Sequence, residues 1–174
     1  MLDENGHGVP ARKGQNVIFR NGIQTSWKQD GYLKKFYITY MDLRADTPQI
    51  ESAAGGVIVL DPDTQLSDAD LLENTSTPQR ERVFFENLHG NFEVGLWDTQ
   101  TLSTELEPFG YHEFAHVLEG EVTLREADGT EHHFKSGDVF FVPAGTLCSW
   151  HVPRYLRKYY AALNPAIRPQ RTAP

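Results

Sequence analysis

An internal repeat limits what this chain can fold into more than any other feature of its sequence. Shifting the chain by 123 positions places "GQNVIFRNGIQTSWKQDGYLKKFY" (14–37) over "GDVFFVPAGTLCSWHVPRYLRKYY" (137–160) without a gap. Eight of the 24 aligned positions are identical, and six of the eight lie between Ser26 and Tyr37. A random pairing of ordinary composition gives roughly one or two identities. The two segments are therefore predicted to be equivalent parts of two structural modules.

The two copies are unequal in extent, because only 13 residues precede Gly14. We expect residues 1–45 to be an incomplete copy, 46–81 a linker with a short helix, 82–165 the complete barrel and 166–174 a loose tail. The incomplete copy implies a longer two-module protein, or strands that join another sheet. An unpaired strand edge favours association. We therefore predict that these strands pair with the complete module or with a second copy of the chain, and that the protein is a homodimer.

Short strands are indicated throughout the second half of the chain. Runs such as "RVFFENL", "FEVGLWDT" and "YLRKYYAAL" are rich in β-branched and aromatic residues and are bounded by turn formers. The tetrapeptide "ADGT" (127–130) is a hairpin signal. Closely spaced strands of this kind predict an all-β fold, either a small antiparallel β-barrel or a jelly roll.

Composition excludes several classes of function. The 24 acidic residues outnumber the 16 basic ones and give a net charge of -8, which disfavours binding to nucleic acid or to an anionic membrane surface. A single cysteine allows no internal disulfide and fits a reducing compartment. We predict a cytoplasmic protein with a small-molecule ligand as its partner.

Two stretches resemble the paired sequence motifs of the cupin superfamily. They are "YHEFAHVLEGEVTL" (111–124), where Glu113 stands seven residues before Gly120, and "GDVFFVPAG" (137–145), which has the glycines and proline of the second motif. The fuller pattern is similar to the cupin subgroup named for (S)-ureidoglycine aminohydrolase, in which tandem modules occur. The resemblance implies a cupin (RmlC-like) jelly-roll β-barrel, here with extra N-terminal strands from an incomplete second repeat.

The resemblance also implies a divalent metal (Mn, Zn, Fe or Ni) held by histidines and a glutamate inside the barrel. This chain departs from the family pattern at three of the four ligand positions. Glu113 remains, whereas Cys148 replaces the histidine of the second motif. The two histidine positions of the first motif hold other residues: Leu106 and Pro108, or Glu107 and Phe109 with the shorter spacing.

Strand alternation separates the remaining candidate ligands. If Glu113 points into the barrel, as its family position implies, His112 and His116 point away from it. One interpretation is a metal site built from Glu113 and Cys148, with Glu107 or one of the histidines added after a bulge. The other is that no cofactor is bound and that the two histidines face solvent or an interface.

Four residues near the C-terminus are candidates for ligand binding: Cys148, Trp150, Lys158 and Tyr160. A buried lysine needs a partner, so an inward Lys158 would seek Glu113 or an anionic ligand. A tryptophan supplies a flat wall for a small ligand. The alternative is structural, because Trp27 and Lys35 occupy equivalent positions in the incomplete copy and Cys148 would serve equally well as a small buried thiol.

Two hypotheses about function follow, and the sequence leaves open whether the protein is an enzyme. The first is a cupin-fold protein that binds a small molecule without transforming it. The second is a hydrolase or isomerase of a small polar metabolite, similar to ureidoglycine aminohydrolase, which acts through a metal or through Glu113 as a catalytic acid or base.

Overall fold

The structure is a computed structural model, and it describes residues 8–20, 26–41, 56–87 and 89–165. The chain forms two compact units, residues 1–64 and 65–174. The predicted tail, 166–174, lies outside the described residues, as do parts of the predicted incomplete copy and linker. No helix in the described part of the chain is long and apolar enough to cross a membrane.

The first unit contains a two-stranded antiparallel sheet. Strand β1 (Asn16–Phe19) pairs with β2 (Val57–Leu60), so that Val17 lies opposite Val59. The segment 27–41, which aligns with the barrel strands of the second copy, contains no regular strand. The repeat itself stays a prediction.

The second unit is built around one antiparallel sheet. Its strands in chain order are β3 (Gln79–Glu86), β4 (Phe92–Thr99), β5 (Leu102–Ser103), β6 (Glu107–Pro108), β7 (His112–Glu126), β8 (Glu131–Lys135), β9 (Val139–Val142), β10 (Leu147–Val152) and β11 (Leu156–Leu163). The hydrogen-bonded order is β3-β4-β11-β7-β10-β5, with β6 on β10 and with β8 and β9 on β7. The hairpin predicted at 127–130 is confirmed, since it joins β7 to β8.

Strand β7 is long enough to join the two parts of this sheet. Its first half pairs with β9 and β11, and its second half pairs with β8 and β10. Buried side chains alternate from Glu113 to Val117 and then resume, out of phase, at Val122. The phase changes around Gly120, whose φ of 79° is in the left-handed region that favours glycine.

Close approach is a second reason for a glycine at this bend. A Cβ at Gly120 would lie 1.9 Å from the carbonyl oxygen of Tyr155. The bulge between Arg157 and Lys158 lies opposite the same part of β7, and bulges increase the twist and bend of a strand. Together these irregularities curl the sheet into a half-barrel.

Apolar side chains from the concave face of the half-barrel form the core. Its buried members are Ala115, Val117, Val122, Leu124, Phe140, Val142, Cys148, Trp150, Val152 and Leu156. A short 3-10 helix, Asp68–Asp70, precedes β3, and the backbone N–H of Ser67 donates to the Asp70 carboxylate over 2.7 Å. The prediction of an all-β fold of closely spaced antiparallel strands is confirmed.

Candidate functional site

The register of three neighbouring strands brings polar residues onto the concave face. On β11, Lys158 and Tyr160 share this face with Ala162, which lies opposite Glu113 of β7. On β4, Trp97 lies opposite Lys158 and Gly95 opposite Tyr160. The inner-face site, as we call it, consists of Glu81, Trp97, Tyr111, Glu113, Trp150, Lys158 and Tyr160.

A buried ion pair forms the centre of the inner-face site. The Lys158 Nζ donates a hydrogen bond to Glu113 Oε1, and the two side chains are only 6% and 2% exposed. Removing two charges from water is costly, and well-packed apolar residues often stabilise a core as well as or better than such a pair. Packing alone therefore does not explain why this core contains a charged pair.

Three aromatic rings surround the ammonium group of this pair. The Lys158 Nζ lies 4.8 Å from the ring centroid of Trp150, 5.1 Å from that of Trp97 and 5.9 Å from that of Tyr160. Distances within about 6 Å allow the quadrupole of each ring to attract a cation. The ammonium is thus held by one carboxylate and by three aromatic side chains.

Tyr160 links the ion pair to a second carboxylate. Its hydroxyl donates to Glu81 Oε1 over 2.6 Å. Burial, together with Glu81, Glu93 and Glu113, raises the pKa of Tyr160 far above its ordinary value, so the hydroxyl keeps its proton. The ring needs the glycine opposite it, because a Cβ at Gly95 would lie 2.6 Å from Tyr160 Oη.

Tyr111 lies directly before β7, where Glu113 and Glu81 affect the pKa of its hydroxyl. The residue is 37% exposed, which places it at the edge of the site. Burial of the hydroxyl raises its pKa above the ordinary value, and the charges of Glu113, Glu81 and Glu93 raise it further. Sequence reasoning missed Tyr111, although it stands two positions before Glu113 and strand alternation places such residues on one face.

Cys148 and Trp150 lie inside the half-barrel, as their shared position on one face of β10 predicts. Cys148 is 3% exposed, and burial raises the pKa of its thiol, which disfavours the nucleophilic thiolate. Trp150 stacks on Phe109 with ring centroids 5.6 Å apart. The Trp150 Nε1 is also buried. It lowers the pKa of the Cys148 thiol, but by less than burial raises it.

The histidines next to Glu113 lie on the opposite face of β7. Glu113 is buried, whereas His112 and His116 are only half-buried, as strand alternation predicts. The Nδ1 of His112 accepts a hydrogen bond from the backbone N–H of Ala144 over 3.1 Å, and its ring stacks on Phe141. Burial lowers the pKa of His116. The structure therefore does not bring these two rings to the inner-face site.

Two clefts elsewhere in the second unit are lined by other residues. One, of about 200 Å³, lies beside the Arg80–Asp98 ion pair. The other, of about 410 Å³, lies beside His133 and His151. Neither cleft includes a residue of the inner-face site.

Comparison with known proteins agrees with this architecture. Residues 86–160 match the family Cupin_3, the EutQ-like cupin domain. The half-barrel has the cupin fold that the sequence predicted. No curated protein matches the chain.

Two solved structures illustrate the likeness. The EutQ protein of Clostridium difficile is 22% identical, with a TM-score of 0.51 over 62% of this chain and 86% of its own. A protein of unknown function from Pseudomonas syringae pv. tomato str. DC3000, of the DUF861 family, is 27% identical, with a TM-score of 0.55 over 63% of this chain. The alignment spans 48% of that second protein, so this chain matches about half its length. At 22% identity, the likeness to EutQ concerns the fold.

The side chains of the inner-face site do not fit a divalent metal. Among the described residues, no group of three or more His, Cys, Asp or Glu side chains is arranged to hold a metal ion. The one family ligand that the chain keeps, Glu113, is bound by the ammonium of Lys158. An ammonium cannot ligate a metal, and it supplies a positive charge beside the carboxylate where the family pattern implies the ion.

Proposed function

We propose that this cupin binds a small polar metabolite at the inner-face site and that binding requires no metal. The buried Glu113–Lys158 pair, surrounded by aromatic rings, is the observation that carries the proposal. Pockets for small ligands are typically apolar surfaces with a few precisely placed polar groups.

A binding screen tests this function. Small polar metabolites are added one at a time, and melting temperature is measured together with tryptophan fluorescence. We expect at least one compound to raise the melting temperature, because a ligand that binds only the folded state stabilises it. Glu113→Gln should abolish the effect, and dialysis against a chelator should not.

The matched control for this screen is Lys35→Met. Lys35 aligns with Lys158 in the repeat, but it belongs to the first unit and lies over Trp27 and Tyr37. This substitution should leave the ligand-induced shift unchanged. A shift that survives Glu113→Gln, or that disappears on chelation, would contradict the proposal.

A second candidate function is hydrolysis, with Glu113 as the catalytic acid or base. It is supported by Lys158, which donates a hydrogen bond to this carboxylate, by Tyr111, whose pKa the carboxylate raises, and by the resemblance of the sequence motifs to the (S)-ureidoglycine aminohydrolase subgroup. Ammonia release from ureido and amino-acid-derived compounds would be measured. Glu113→Gln should reduce turnover by about 10²–10⁴-fold, the usual contribution of a general acid or base.

We also propose that the protein is a cytoplasmic homodimer. The buried thiol of Cys148 supports a reducing compartment. Large apolar side chains on the first unit support self-association, since Tyr32 is 92% exposed, Tyr37 73% and Phe36 64%. A tandem arrangement in a longer protein is the corresponding proposal for the repeat.

A further inference from the structure

We propose that the ligand of the inner-face site carries a small organic cation, most simply a primary ammonium group. This inference rests on the proposed function and names its substrate class. The ligand's ammonium takes the place that the Lys158 ammonium occupies, beside Glu113 and among the rings of Trp97, Trp150 and Tyr160.

The Lys158 ammonium shows which kind of group the inner-face site accommodates. A primary ammonium is a compact cation with three hydrogen-bond donors and no acceptor. In this structure one of those donors reaches Glu113, and three ring centroids lie within 6 Å of the nitrogen. Cages of aromatic rings with a carboxylate are a well-known way for proteins to recognise alkylammonium ligands. Here the Lys158 side chain occupies the position of such a ligand.

The distribution of charge at the site also favours a cation. Glu113 and Glu81 both belong to the site, and Lys158 is its one lysine or arginine. The Tyr160 hydroxyl is oriented by a carboxylate, because Glu81 accepts its hydrogen bond. An anionic ligand would meet two carboxylates at short range, whereas a cation would be attracted by both.

Lys158 has an alternative partner when a ligand occupies its place. Lys158, Trp97 and Glu81 lie at one register across β11, β4 and β3. Strands are about 4.8 Å apart, so the Cα atoms of Lys158 and Glu81 are separated by roughly 10 Å. A lysine side chain that rotates away from Glu113 can cover most of this distance, and its ammonium then forms an ion pair with Glu81. The exchange keeps both ammonium groups paired.

The first unit shows what part of this arrangement depends on local sequence. There, Lys35 Nζ lies 5.1 Å from the Trp27 ring and 5.8 Å from the Tyr37 ring, close to the 4.8 and 5.9 Å of Lys158 with Trp150 and Tyr160. Tyr37 is 73% exposed, whereas Tyr160 is 4% exposed. The short spacing of Trp, Lys and Tyr therefore forms a cation–aromatic cluster in both units. Burial and the Glu113 carboxylate distinguish the cluster in the barrel.

Ethylammonium chloride is the probe for the test, and sodium acetate and acetamide are the anionic and neutral controls at matched ionic strength. Titration of the full wild-type chain is followed by tryptophan fluorescence and by melting temperature. We expect a saturable response to ethylammonium and none to acetate or acetamide. Lys158→Met removes the competing ammonium and should tighten ethylammonium binding by about tenfold or more, since it leaves Glu113 without a partner.

Two further variants keep the test decisive if Lys158→Met folds poorly. Lys158→Met combined with Glu113→Gln removes both charges and should abolish the ethylammonium response. Lys35→Met should leave the response as in the wild type. If acetate binds and ethylammonium does not, the substrate class is wrong while the binding function stands. If neither probe binds and the metabolite screen also fails, both proposals are overturned.

Discussion

The ammonium of Lys158 is the residue-scale feature that distinguishes this protein from the metal-binding pattern of its fold family. It contacts the single family ligand that the chain retains, Glu113, and three aromatic side chains fix its position. The pair is coupled, because either charge alone would be buried without its partner. Stability and ligand recognition therefore depend on the same few atoms.

Single and double substitutions should separate these contributions. Lys158→Met leaves the Glu113 carboxylate buried and unpaired, and we expect it to lower the free energy of unfolding by about 3–5 kcal/mol. The double variant with Glu113→Gln should be less destabilised than Lys158→Met, because neither charge then remains. Urea denaturation of the two variants and the wild type measures the difference. A double variant as unstable as the sum of both single variants would show that the two charges are not coupled.

His116 makes a smaller, pH-dependent contribution. Burial lowers the pKa of His116 below its ordinary value of 6.5. In the pH range below 6.5 the unfolded state therefore binds a proton more readily than the folded state, so the stability from neutral His116 is present above 6.5 and is lost as the pH falls through the folded-state pKa. Melting temperatures of wild type and His116→Gln should converge or cross as the pH is lowered from 7.5 to about 5. A constant difference would contradict this assignment.

At the scale of the element, strand pairing determines which residues meet. The sequence predicted that Glu113 and the two histidines occupy opposite faces of β7, and burial of these residues agrees. It also predicted Cys148, Trp150, Lys158 and Tyr160 as candidates on the barrel strands. Trp97, Glu81 and Tyr111 were not among these candidates. The neighbours of Glu81 and Trp97 come from other strands, 16 or more positions away in sequence, and single-strand alternation carries no information about such pairing.

Gly95 provides a test of this pairing. A Cβ at Gly95 would lie 2.6 Å from Tyr160 Oη and 2.7 Å from its Cζ, so Gly95→Ala must displace the Tyr160 ring. We expect a loss of about 1–3 kcal/mol in the free energy of unfolding, which is typical of overpacking in a core. Weaker binding of ligand should accompany it, because the hydrogen bond from Tyr160 to Glu81 is broken.

Gly110→Ala is the matched control for this substitution. An added Cβ at Gly110 meets no atom within 4 Å, and its backbone is outside the left-handed region. This variant should keep the wild-type melting temperature and ligand affinity. Equal effects of the two substitutions would show that the contact with Tyr160 is not what requires a glycine at position 95.

At the scale of the whole molecule, the fold of the second unit could be predicted from sequence. The two cupin-like motifs and the short runs of β-branched and aromatic residues both indicated an antiparallel β-barrel. The first unit was less predictable. Its repeat suggested barrel-like strands, yet residues 27–41 form no regular strand, and β1 pairs with β2 from the region that was predicted to be a linker. A repeated sequence specifies local clusters such as Trp27, Lys35 and Tyr37. A sheet also needs the partner strands, which the repeat does not supply.

The proposed homodimer is the prediction at this scale. Light scattering coupled to size-exclusion chromatography should give about twice the 19.7 kDa of the chain. Replacing Tyr32 and Phe36 with serine should shift the protein towards the monomer, because it removes exposed apolar area from the first unit. Val83→Ser, which alters an exposed residue of the second unit, is the control. A wild-type protein that is monomeric at high concentration would contradict the proposal.

The 15-residue length of β7 has a consequence for how this protein tolerates insertions and deletions. One continuous strand both carries the Glu113 carboxylate and pairs with the neighbours on either side of the bend. Side chains alternate with a period of two, so deleting a single residue between Glu113 and Gly120 would turn the carboxylate outward and a different residue inward. Length changes in this lineage should therefore be confined to the loops, and the segment from Glu113 to Gly120 should keep a fixed number of residues.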